Sequence, residues 1–199
     1  ELDVVLLAEE TGRAALPEPF VEHVLIGAPL SPSEAVASGA ATMTAGESLV
    51  PYAAAAELLV IGGENAFVIA AECIEVEFRE SVDGSRRLAF VDAVPSDAIR
   101  ELSARENALA FDRGGLGTAA QLVGLGQHLL DETVAYVSER RQFGAPIGSF
   151  QALKHKLADV RIALEFARPL VYRAASSLAT DDPEASVHVS MAKAQASDA

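Results

Sequence analysis

A long apolar seam in the last third of the chain most limits what this sequence can fold into. Apolar residues alternate there between three- and four-residue spacing: Phe150, Leu153, Leu157, Val160, Leu164, Ala167, Val171, Ala174 and Leu178. This repeat keeps one face of a helix apolar over about four heptads, which predicts a helix packed along its length in a bundle. Pro169 lies inside the run and is expected to kink the helix, at a cost of roughly 3 kcal/mol.

The segment at residues 140–151 joins this helix to an earlier amphipathic one. The earlier helix is indicated by apolar residues at the same spacing: Leu116, Ala119, Val123, Gly126, Leu130, Val134 and Val137. Within the segment, Gly144 permits a left-handed helix C-cap and Pro146 stops the first helix. Ser149 can cap the start of the second helix. The sequence therefore predicts helix, turn and helix at this place.

Residues 140–159 resemble the C-terminal helical domain of acyl-CoA dehydrogenases. Residues 140–151 read R-x-Q-F-G-x-P-I-x-x-F-Q, and residues 154–159 continue as K-H-K-L-A-D. The order of helical, β and helical segments along the chain is also the domain order of that family. The resemblance implies the family's fold and FAD as the cofactor.

The resemblance also assigns four side chains to that cofactor. Arg140 and Gln151 fall where the family contacts the FAD diphosphate of the neighbouring subunit, and Phe143 falls where an aromatic ring packs near the flavin. Gln142 stands where other members carry a threonine that contacts the cofactor. A guanidinium offers a planar fork to phosphate oxygens, and an amide supplies a further donor. The alternative is that Arg140 pairs with Glu139 or Asp159 on a helix surface, while Phe143 and Gln151 only pack the turn.

The chain before residue 98 is predicted to form two further segments. Residues 1–39 read as helical, with an interruption of the first helix at Gly12 and a short helix capped by Ser33. Residues 98–199 are predicted to form part of a helical bundle. The predicted fold is therefore mainly α with a small β-domain. That β-domain covers residues 40–97, where turn residues separate runs typical of strands: Leu58–Ile61, Ala66–Ala70, Ile74–Phe78 and Leu88–Val91.

Several features of the family have no counterpart in this sequence. Thr44 lies where the family has a flavin-contacting threonine, but the loop and the tryptophan-bearing segment that follow it in the family are missing. Arg113 is a candidate for the substrate-binding arginine only with a shift of register. No acidic residue aligns with either family location of the catalytic glutamate, so no catalytic residue is predicted. The pattern G-x-G-x-x-A at residues 115–120 follows a charged helical stretch and indicates close helix packing.

Composition narrows the partners and the compartment. The formal net charge of −14 and the pI near 4.6 argue against nucleic acid, whose phosphates require Lys and Arg. No apolar run reaches membrane-spanning length, and no basic amphipathic stretch indicates a membrane surface. The single cysteine, Cys73, excludes an internal disulfide and favours the reducing cytoplasm. The four histidines show no metal-ligand spacing, so no metal is expected. The two ends of the sequence suggest a fragment.

The predicted function is FAD-dependent α,β-dehydrogenation of an acyl-CoA thioester. The protein is expected to be a homo- or hetero-oligomer, a dimer or tetramer, that associates through its C-terminal helices. The first alternative is a non-catalytic subunit that completes the FAD site of a heteromeric acyl-CoA dehydrogenase. The second is a structural helical assembly protein without a cofactor.

Overall fold

The computed structural model describes residues 2–63 and 65–199, and the chain divides into two compact units. The helical unit combines the residues up to Leu16 with Gly115–Ala199, and the β-unit is Pro17–Gly114. The bounds predicted from sequence, 1–39, 40–97 and 98–199, stay predictions. The helices are α1 (Leu2–Arg13), a π-helix (Val21–Gly27), α2 (Ala28–Leu30), α3 (Glu34–Ala37), α4 (Ala104–Glu139), α5 (Gln151–Ala179) and α6 (Ala185–Asp198).

The β-unit contains two small sheets. The first has the order β1–β3–β4–β7, with β1 parallel to β3 and the other pairs antiparallel. The second has the order β2–β6–β5 and is antiparallel throughout. Their strands are β1 (Met43–Gly46), β2 (Leu49–Pro51), β3 (Leu58–Ile61), β4 (Phe67–Ala70), β5 (Glu75–Phe78), β6 (Leu88–Asp92) and β7 (Arg100–Glu101). The four strands predicted from sequence are confirmed to within a residue at each end, and Ser33 caps α3 as predicted.

Two glycines allow α1 to cross α4 with direct contact between their main chains. A Cβ atom on Gly12 would collide with the main chain of Gln121, and one on Gly124 would collide with the carbonyl oxygen of Glu9. The prediction that Gly12 interrupts the first helix is therefore wrong. The helix continues to Arg13, and the glycine serves the crossing instead.

A polar network fastens α1 to α4 and α5 beside this crossing. Glu9 accepts hydrogen bonds from the Nε of Arg168 and the hydroxyl of Tyr172, each at 2.8 Å. Burial and the Glu9 carboxylate raise the pKa of Tyr172 to about 12. Arg13 forms an ion pair of 2.8 Å with Asp131, which also accepts from the amide of Gln127. Residues that are more than a hundred positions apart in sequence thus hold the helical unit together.

The apolar seam of α5 is buried only in its second half. Leu164, Ala167, Val171 and Ala174 are at most 1% exposed, and α5 runs unbroken through Pro169. In the first half, Phe150 is 37% and Val160 is 38% exposed. The seam therefore packs in a bundle as predicted from Leu164 onward, while its first half, in which Leu153 and Leu157 are half-buried, stays partly uncovered in this chain.

Candidate cofactor-binding hairpin and adjoining groove

A tight β-hairpin joins α4 to α5. Its strands are β8 (Arg141–Gln142) and β9 (Ala145–Pro146), paired in antiparallel register. Phe143 and Gly144 occupy the turn with φ values of 53° and 81°. Positive φ at both central residues is the mark of a type I′ turn, which suits the right-handed twist of a hairpin.

The predicted helix, turn and helix is correct in its outer parts and wrong in the turn chemistry. Gly144 does adopt a left-handed conformation, but at the hairpin tip, because α4 has already ended at Glu139. Pro146 lies in β9, and the Oγ of Ser149 donates to the carbonyl of Pro146 at 2.7 Å. The N-cap of α5 is Phe150, which makes no side-chain capping bond.

The four predicted cofactor residues all lie exposed on or beside this hairpin. Arg140 precedes β8, Gln142 ends this strand, Phe143 begins the turn, and Gln151 opens α5. The ring of Phe143 is 94% exposed and meets Phe150 edge to face, with ring centroids 6.3 Å apart. Within the described residues, no carboxylate lies at ion-pair distance from Arg140. The alternative of a surface ion pair for Arg140 thus has no counterpart in the structure.

Arg141 has a structural part in the hairpin that the sequence did not reveal. Its guanidinium donates to the carbonyl of Gly144 at 3.2 Å, across the turn. The main-chain N–H of Ile147 donates to the carbonyl of Arg140 at 2.7 Å and closes the base. Of the two adjacent arginines, Arg141 therefore holds the loop together. The Arg140 side chain makes no hydrogen bond or ion pair with the described residues.

Positive charge is concentrated in this part of an otherwise acidic chain. Residues 140–161 carry five cations and a single carboxylate, Asp159, for a net charge of +4. The whole chain carries −14, so the remaining residues carry −18. Clustered cations raise the local potential and attract anions. The hairpin and the start of α5 therefore carry a positive charge of the kind that attracts anions.

An open groove runs beside the hairpin, between α4 and α5. It consists of two adjoining parts of about 470 and 460 Å³ that share Val134 and Leu157. Leu130, Val134, Val137 and Leu157 provide apolar surface, and Asp131, Ser138, Ser149, Lys154 and Arg161 provide polar groups. The groove lies against the uncovered first half of the α5 seam.

Of the other candidates from the sequence, Thr44 and Gly115 have structural roles. Thr44 is fully buried, and its hydroxyl donates to the carbonyl of Pro51 at 2.6 Å, so it is committed inside the β-unit. Gly115 lies within α4, where an added Cβ would be 3.1 Å from Val189, which confirms close helix packing. Arg113 is half-buried within α4. His23 accepts from the N–H of Met43 at 3.0 Å.

The part of the chain that the structure describes holds neither a metal-ligand cluster nor a membrane helix. No three His, Cys, Asp or Glu side chains among residues 2–63 and 65–199 are grouped to hold a metal ion. No helix in those ranges is both long and apolar enough to cross a bilayer.

Comparison with known proteins shows the family of this chain. Residues 105–199 match the family model for the C-terminal domain of acyl-CoA dehydrogenases. The acyl-CoA dehydrogenase IpdE2 of Mycolicibacterium smegmatis is 32% identical over 178 residues, which cover 85% of this chain and 55% of that protein. IpdE2 of Mycobacterium tuberculosis is 31% identical over 175 residues, with 85% and 54% covered. The chain spans about half the length of these two curated relatives.

Solved structures show the same fold. The ChsE4-ChsE5 complex from Mycobacterium tuberculosis matches with a TM-score of 0.84 at 21% identity, covering 98% of this chain and 65% of that chain. Butyryl-CoA dehydrogenase from Megasphaera elsdenii matches with a TM-score of 0.75 at 22% identity, covering 98% and 66%. These likenesses confirm the predicted fold, mainly α with a small β-domain.

Proposed function

The chain belongs to the acyl-CoA dehydrogenase family, and from this membership we propose that it contributes an FAD site to the α,β-dehydrogenation of an acyl-CoA thioester. FAD, when bound, supplies the hydride acceptor of that reaction. The residues of this chain bind and orient the cofactor through the hairpin at 140–151. No residue of the chain is assigned as the catalytic base.

The proposal rests on the exposed hydrogen-bond donors at the hairpin. Arg140 has no ion-pair partner among the described residues, and the amides of Gln142 and Gln151 are exposed beside it. The local net charge of +4 in a chain of −14 favours a diphosphate over a neutral ligand. In this proposal, the Arg140 guanidinium binds phosphate oxygens, and the two amides add hydrogen bonds.

Phe143 supports the same site through its conformation. A bulky side chain at positive φ is strained, and such strain persists mainly where a function uses it. The turn presents the ring almost fully to solvent, with one edge-to-face contact to Phe150. In this proposal, the exposed ring packs against the flavin and loses its contact with water.

The uncovered seam favours a version in which a second subunit completes the site. The first half of the α5 seam and the adjoining groove expose apolar surface that a monomer leaves in water. Burial of apolar surface is the main driving force of association. The proposed assembly is a dimer or tetramer, homomeric or heteromeric, in which a neighbouring family subunit covers this surface. Location in the cytoplasm is part of the same proposal.

Titration of flavin-free protein with FAD tests the cofactor site. Arg140→Ala should weaken FAD binding about tenfold or more, because a hydrogen bond to a charged group contributes roughly 1.5–3 kcal/mol. Arg79→Ala is the matched control, since it removes the same charge from the β-unit, where Arg79 pairs with Glu77. Equal affinity of both variants and the parent protein would rule out Arg140 as a cofactor ligand.

Anaerobic mixing with acyl-CoA thioesters separates the two forms of the proposal. The isolated chain, loaded with FAD, is expected not to bleach the flavin band at catalytic rates, because general-base catalysis is typically worth 10²–10⁴-fold and no base is assigned here. Bleaching after addition of a second family subunit would establish the heteromeric form. Bleaching by the chain alone would establish an independent enzyme, and failure of every form to bind flavin would favour a structural assembly protein.

A further inference from the structure

A buried histidine joins α5 to α6, away from the hairpin and its proposed cofactor. The ring of His188 is 7% exposed and lies between two side chains of α5. Its Nε2 is 2.9 Å from the guanidinium of Arg173, and its Nδ1 is 2.8 Å from the hydroxyl of Ser177. Ser177 is itself only 6% exposed. The joint is therefore a small polar site enclosed between two helices.

Hydrogen-bond chemistry assigns the state of this ring. A guanidinium has donors and no acceptor, so Nε2 must present its lone pair to Arg173. The neutral ring then carries its proton on Nδ1 and donates it to Ser177. Serine and the nearest aspartate, Asp182, both face Nδ1, so the group cannot work as a Ser-His-Asp triad, which needs them on opposite nitrogens.

Two carboxylates stand just outside hydrogen-bond distance of the same ring. Asp182, in the α5–α6 turn, has an oxygen 3.9 Å from Nδ1, and Glu184, at the N-cap of α6, has one 3.9 Å from Nε2. The Glu184 side chain is 74% exposed. From α4, the uncharged Gly115 packs against the adjacent Val189. Among the described residues, Arg173, Asp182 and Glu184 are the charged groups within 4.0 Å of the ring nitrogens.

We propose that His188 is a pH-operated switch between two sets of partners at this joint. The neutral ring accepts from Arg173. The protonated ring, which has a donor on each nitrogen, releases Arg173 to solvent and turns its Nε2–H to Glu184. A shift of about 1 Å brings that carboxylate into the 2.7–2.9 Å range of a charge-assisted hydrogen bond.

The surroundings allow both states to be satisfied. Arg173 is exposed apart from this contact, so its guanidinium regains water when it leaves. Glu184 precedes His188 by four residues, the spacing at which a helical ion pair forms. Buried apolar residues, among them Val189 and Ala192, keep α6 packed in either state.

Nitrogen-resolved NMR of the full chain tests the switch through two variants with opposite effects. Arg173→Met removes the donor that opposes a proton on Nε2, so the midpoint for protonation of His188 should rise by about one pH unit. Glu184→Gln removes an acceptor of the charged ring, so the midpoint should fall by about 0.2–0.7 pH unit, the range of exposed ion pairs converted at 1.36 kcal/mol per unit. His155, exposed on α5, is the internal reference and should not respond.

The tautomer of the ring supplies an independent readout. At pH 8 the parent protein should carry the proton on Nδ1, and Arg173→Met should lose this preference. Arg173→Lys retains a donor and should keep the Nδ1–H form, which provides the conservative rescue should the methionine variant unfold. A proton on Nε2 in the parent protein at pH 8, or midpoints that neither variant moves, would overturn the proposal.

Discussion

The crossing of α1 over α4 gives a prediction that the structure makes quantitative. An alanine at Gly124 would direct its methyl group into the main chain of Glu9, which is part of a helix and cannot rotate away. The helix α1 must then move off α4, and overpacking of this kind costs typically 1–3 kcal/mol. The same movement pulls Glu9 from Arg168 and Tyr172, now bonded at 2.8 Å. Gly124→Ala should therefore lower the free energy of unfolding by about 1–3 kcal/mol.

A second glycine in the same helix isolates the effect of the crossing. An alanine at Gly126 would meet the end of the Leu164 side chain, with Cδ2 at 2.8 Å, and a terminal methyl can rotate. Both substitutions gain the same helix propensity, roughly 0.5–1 kcal/mol. In thermal unfolding followed by circular dichroism, Gly124→Ala should melt several degrees below Gly126→Ala, since 1 kcal/mol corresponds to about 2–4 °C at this size. Equal melting temperatures would show that the two helices do not touch main chain to main chain.

The remaining predictions concern pH and the hairpin. The pKa of Tyr172 is raised from 10.0 to about 12. The stability that this shift contributes is therefore present below pH 10 and is lost as the pH rises toward 12. In chemical denaturation, Tyr172→Phe should flatten this alkaline decline. Hydrogen bonds from Arg100 and Ser103 lower the pKa of Glu106 to about 2. Its contribution to stability is therefore present above pH 4.5 and is lost as the pH falls toward 2. Glu106→Gln should remove this acid dependence, and an unchanged slope of unfolding free energy against pH would contradict the prediction. Phe143→Asn should stabilise the type I′ turn by up to about 1 kcal/mol while weakening FAD binding, measured by thermal melts and flavin titration; tighter binding would contradict the proposed flavin contact.

Sequence reasoning succeeded where a local pattern determines the structure, and it failed where a long-range contact does. Strands such as Leu58–Ile61 and the amphipathic helices α4 and α5 follow from local periodicity, because the pattern that predicts them is also the pattern that buries them. The prediction at Gly12 failed. A glycine in a helical pattern locally suggests a break in the helix. Gly12 instead contacts the main chain of Gln121, which is far along the chain and cannot be inferred from the local sequence.

The hairpin could not be predicted for a different reason. Its strands have two residues each, too short to show an alternating pattern, and its turn starts with Phe143 where a type I′ turn favours Asn or Gly. The sequence identified the cofactor candidates by resemblance alone. It gave no sign that Arg141 would be used to close the loop.

Cofactor binding and association are coupled in the proposed function because one residue takes part in both surfaces. Phe150 is the first residue of the uncovered seam, and its ring also packs edge to face against Phe143. A partner that covers the seam would fix Phe150 and with it the orientation of the hairpin tip, so part of the ordering cost of FAD binding would be met by association. Linkage is reciprocal, so FAD must strengthen association by the same factor by which association strengthens FAD binding. The affinity for FAD should therefore rise with protein concentration, and Phe150→Ala should weaken both equilibria although position 150 is assigned no contact with the cofactor.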